Sequence, residues 1–138
     1  MKIELILQLA GLAHAGILIA GACMPRVTGL RPQLRSLPEF PRQLFWVYFG
    51  VTGFCIIAFG TMSFVFAEEL ASGTRLARAF CFLVGSFWLL RCGVACFVFD
   101  LRPFLTSTVR RWGHALLNLT FALLTLVYLW AAIFGGAL

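Results

Sequence analysis

LFWVYFGVTGFCIIAFGTMSFVF, residues 44–66, contains no Asp, Glu, Lys or Arg, and neither does WGHALLNLTFALLTLVYLWAAIF, residues 112–134. A helix of roughly 20 apolar residues spans the hydrocarbon core of a bilayer, and both stretches meet that length. Two more runs qualify, residues 5–24 and residues 79–99, the latter with one charge, Arg91. A backbone surrounded by hydrocarbon must satisfy its own hydrogen bonds, which predicts helix for all four. The expected fold is an all-α membrane protein, a four-transmembrane-helix antiparallel bundle forming a single domain over residues 1–138, with both ends on one side of the membrane.

Composition supports this. The chain is 62% hydrophobic and 12% charged, with a mean hydropathy of +0.97. A water-soluble domain would carry about twice that share of charged residues. Residues 5–24 also have features of a signal peptide, since Lys2 precedes them and Ala20-Gly21-Ala22 resembles a cleavage site. The length of the run, Glu4 at its start and the three spans that follow favour a retained membrane helix.

The net charge of +6 is distributed between the spans. Arg26, Arg31, Arg35 and Arg42 fall in the first loop and Arg102, Arg110 and Arg111 in the third, against Lys2, Arg75 and Arg78 on the opposite side. The positive-inside rule then makes the first and third loops cytoplasmic and predicts an N-out, C-out protein, expected in a bacterial cytoplasmic membrane. The anionic partner implied by such a pattern is the lipid headgroup at the cytoplasmic face, not nucleic acid. Residues 25–43 read PRVTGLRPQLRSLPEFPRQ, in which Pro25, Pro32, Pro38 and Pro41 prevent one long helix. Val27, Leu30, Leu34 and Leu37 recur at helical spacing among the arginines, the pattern of a broken amphipathic segment lying in the headgroup layer. Trp46 and Trp112 are expected in the aromatic belt of the same interface.

Polar groups inside the spans carry what functional signal there is, because they are costly in lipid and normally face the bundle interior. Counted from the cytoplasmic helix ends, Arg91 and Thr52 lie about 12 Å deep, Asn118 about 9 Å and His14 about 15 Å. The four spans thus place one polar residue each in roughly the same layer. His114, Asn118, Phe121, Thr125 and Tyr128 form one stripe of the fourth span, while Gly11, His14 and Gly21 give the first a face suited to close helix contact. No span contains a carboxylate to pair with Arg91. Two readings of Arg91 follow. It ties helices together through carbonyls, Thr52 and Asn118, or it binds the anionic part of an amphiphile, with Trp88 offering a cation–π contact. A carboxylate from a partner subunit is a further possibility.

His14 and His114 raise haem b as a cofactor, but about 12 Å of depth separates them, a poor match to a bis-histidine ligand pair. Cys92 and Cys96 form C-x₃-C, a spacing that is neither a redox nor a zinc motif, and with Cys81 and Gly85 they suit a small-residue packing face. No metal site, paired carboxylates, P-loop or catalytic triad is present. The expectation is therefore a small accessory subunit or binder of an anionic lipid or isoprenoid through Arg91, His14, Thr52, Asn118 and Trp88. A haem-binding or lipid-modifying protein using His14 is the alternative, followed by a small dimeric transporter. A homo-oligomer or larger membrane complex is compatible with each.

Overall fold

The computed structural model describes residues 3–98 and 106–136. Along the chain run α1 (Ile3–Val27), α2 (Leu30–Ser36), α3 (Glu39–Val65), α4 (Ala67–Ala71), α5 (Arg75–Phe97) and α6 (Thr108–Phe134), and no strand occurs among the described residues. The helices α1, α3, α5 and α6 are each long and apolar enough to cross a membrane. Phe54, Leu90, Leu116 and Leu126 are exposed along their shafts. Water would not tolerate a shell of this kind, whereas lipid is its natural solvent. The protein is an all-α integral membrane bundle.

These helices begin two to five residues before the apolar windows read from sequence, and α1 also runs three residues past its window. Hydropathy falls at the first charges, yet the hydrogen-bond ladder continues as far as a polar side chain can reach the interface. The first loop is consequently mostly helical. Pro25 lies in the last turn of α1, Pro32 and Pro41 occupy the first turns of α2 and α3, and Pro38 caps α3. A missing N–H costs nothing in a first turn, where the donor has no intrahelical partner. Gly29, in the left-handed region at φ 67°, reverses the chain between α1 and α2.

The bundle is two antiparallel hairpins, α1 against α3 and α5 against α6, joined through α4. A Cβ on Gly11 would lie 2.9 Å from the Gly60 carbonyl oxygen, and one on Gly60 would lie 2.7 Å from His14 Cβ. This close crossing is the small-residue face expected for the first span, although Gly21 meets nothing and takes no part. In the second hairpin Gly85 receives Leu129, beside the buried Cys81. Cys96 is exposed, so the small-residue face of α5 ends before it.

At the end of the bundle that carries the termini, Gly73 (φ 70°) packs against Gly135 with no room for a side chain. Arg78 of α5 donates from Nε to the Ala132 carbonyl (2.7 Å) and from Nη2 to that of Ile133 (3.1 Å). These acceptors belong to the last turn of α6, where carbonyls lack intrahelical donors and the helix dipole favours a cation. The opposite end carries Arg26, Arg31, Arg35, Arg42, Arg110 and Arg111, together with Trp46 and Trp112. Lys2 and Arg102 lie outside the described residues.

Candidate functional site

A polar layer to which each spanning helix contributes does form, with a membership different from that expected. His14 of α1 is buried against Trp88 of α5 and Tyr128 of α6. Its Nδ1 lies 2.7 Å from the Ala10 carbonyl oxygen, and Trp88 Nε1 donates to its Nε2 across 3.1 Å. A carbonyl can only accept and an indole N–H can only donate, so the ring is the neutral tautomer with its hydrogen on Nδ1. Ser63 of α3 completes the set, accepting a 2.6 Å hydrogen bond from the Tyr128 hydroxyl. Thr125 returns its hydroxyl to the Phe121 carbonyl of its own helix (2.9 Å).

The layer lies deeper than anticipated. Tyr128 and Ser63 stand near the ends of α6 and α3 on the side of the termini, and His14 is near the middle of α1. Helix offsets and the length of the tyrosine side chain override a depth count made along each helix separately. Ser63 gave no sequence signal. A lone serine in an apolar span is unremarkable.

Thr52 and Asn118 stand apart from this layer. Thr52 is half-buried on α3, and the Asn118 side-chain amide lies 3.2 Å from His114 Nε2, one turn earlier on α6. Neither forms a hydrogen bond with Arg91. Trp88 has committed its N–H to His14 and stacks on Phe121 at 5.1 Å between ring centroids. Arg91 instead holds its guanidinium carbon 5.8 Å from the centroid of that Phe121 ring. The side chain thus leans back toward the level of Trp88, as the N-terminal tilt of helix side chains dictates.

The contrast between the two principal polar residues is therefore plain. Both ring nitrogens of His14 are engaged within the protein, and iron could bind one only after a hydrogen bond is broken. Arg91 Nε is buried and has no hydrogen-bond partner among the described residues.

Two hollows mark the surface. One, of about 250 Å³, is an apolar crevice between α1 and α3 near Leu12, Leu18 and Phe64. The other, of about 350 Å³, lies at the basic end and is lined by Arg31, Leu34, Arg35, Arg42 and Trp46. Among the described residues, no group of three or more His, Cys, Asp or Glu side chains is placed to hold a metal ion. Comparison with protein-family models, curated proteins and solved structures gives no match.

Proposed function

We propose that this integral membrane protein is a non-enzymatic binder of an anionic amphiphile, a lipid or an isoprenoid, whose charged group pairs with Arg91. The supporting observation is the Arg91 Nε, which is buried without a partner among the described residues although the side chain as a whole is only half-buried. An unmet donor on a charged group costs more than the ~1–3 kcal/mol of a neutral one, and Phe121 offers the ring face without accepting that hydrogen. A phosphate or carboxylate oxygen would satisfy it. The Arg91 backbone is six residues from the end of α5, about 9 Å along the helix, and its side chain leans further in, so a headgroup reaches it where the interface is locally thinned. Asn118, three residues before Phe121 on the same face of α6, and Thr52 on α3 are among the further polar groups in this half. The basic end is proposed to face the cytoplasm of a bacterial cell, which places anionic headgroups on the same side as Arg91.

Native mass spectrometry after extraction in mild detergent tests this reading. The wild-type protein should retain an anionic lipid, and Arg91→Leu should retain one fewer while keeping its thermal stability within a few degrees. Equal retention in the two proteins, or none in either, would overturn the proposal. So would a copurifying subunit with an intramembrane Asp or Glu whose association depends on Arg91, because that carboxylate would then be the natural counter-ion.

A further inference from the structure

We infer that the recess between α2 and the start of α3 is a second, separate site that clamps the phosphate of a membrane lipid. It does not rest on the reading of Arg91, which lines no part of it. Arg31 and Arg35 are four residues apart on α2, and Arg42 and Trp46 are four residues apart on α3. Each pair shares one helical face, and the two faces meet across the same hollow of about 350 Å³.

The recess is built and not a chance gathering of solvated loops. Leu34, between the two α2 arginines, is only 5% exposed and anchors the short helix to the bundle. Gly29 caps its start and Leu37, in extended backbone, caps its end. Trp46 is held edge-on by Phe45 and Phe49, with ring centroids 5.4 and 5.7 Å away. Among the described residues no carboxylate lines the hollow, and Glu39, the nearest in sequence, accepts a 2.9 Å hydrogen bond from Gln43. Three arginines therefore line one hollow that holds no carboxylate among the described residues, an arrangement whose like charges favour entry of an anion.

The chemistry selects the anion. Guanidinium forks match the oxygens of a phosphate, and three of them around one hollow can donate to several oxygens together. A free phosphate would be recognised by the same groups. Leu34 and Trp46 decide for a lipid, because they set apolar surface beside the charges at the interface where glycerol and the first acyl carbons lie. The site would hold a phosphodiester or phosphomonoester headgroup with its chains running down the outside of α3.

Tryptophan quenching by brominated lipid reads the site directly. The protein is placed in phosphatidylcholine nanodiscs containing a minor fraction of phosphatidylglycerol brominated near the ester end of its chains. The signal of Trp46 is isolated by difference from Trp46→Phe. Brominated phosphatidylglycerol should quench Trp46 far more than the same fraction of brominated phosphatidylcholine. Arg31→Gln/Arg42→Gln should weaken this enrichment roughly tenfold, since each arginine near an anionic surface contributes appreciably to attraction. The charge-matched double variant Arg26→Gln/Arg110→Gln, on the same face outside the recess, should leave most of it intact. Equal loss in both double variants would reduce the effect to diffuse surface charge and overturn the site. Complete displacement of the lipid by inorganic phosphate would overturn the assignment to a lipid. Retention of lipid at the Arg91 site is read separately by mass spectrometry in Arg91→Leu, so failure of one site is distinguishable from failure of the other.

Discussion

His14 shows at the scale of a single residue how an intramembrane polar group becomes structural. With Nδ1 given to Ala10 and Nε2 taking the Trp88 N–H, the ring has no unused hydrogen-bonding atom. His14→Phe should lower stability by about 1–3 kcal/mol, because it leaves the indole N–H buried without an acceptor. Trp88→Phe added to that variant should cost much less than it does in the wild type. Reversible unfolding of the four proteins in a detergent mixture measures the coupling, and additive losses would show that the bond contributes nothing. Tyr128→Phe, which strands only the small Ser63 hydroxyl, should cost about 1 kcal/mol. In the sequence His14 and Arg91 stood out as costly residues in lipid; His14 is buried and Arg91 is half-buried. Their partners were not legible. Phe121 and Ser63 are ordinary residues in apolar spans, and only the rotation and offset of neighbouring helices bring them into place.

Among the elements, spans and their number could be read from hydropathy, because lipid imposes one requirement on every residue of a span. Helix ends could not, since Pro25, Pro32 and Pro41 look like breakers until their first-turn or last-turn positions are known. Pairing of helices was half-visible. Gly11 marked a contact face correctly, but no pattern in the sequence identified Gly60 as its opposite number. Gly60→Leu should separate α1 from α3, lowering the melting temperature in detergent and increasing the accessibility of the crevice beside His14 to lipid probes. An unchanged melting temperature would show that the crossing relaxes freely. Arg78→Gln should loosen the last turn of α6 by about 1–2 kcal/mol through loss of charged donors to its carbonyls. Hydrogen exchange localised to residues 129–134 is the measurement, and protection unaffected by the substitution would rule out this capping role.

For the whole molecule, the proposed orientation rests on the uneven placement of arginines along the chain. Reporters fused at either end should both be active only outside the cytoplasm. Replacing Arg26, Arg31, Arg35 and Arg42 together with Gln leaves three basic residues on each side and should yield a mixture of orientations. A population that stays uniform would assign orientation to something other than these charges. The two hairpins differ in another respect. His14 Nε2 and Ser63 Oγ, the acceptors, belong to the first, whereas Trp88 Nε1–H and the Tyr128 hydroxyl, the donors, belong to the second. Neither half can complete its interior alone. During synthesis the earlier half must wait in the bilayer with two polar atoms unanswered until the later half arrives. Halves severed between α4 and α5 would carry matching instructions for finding each other again.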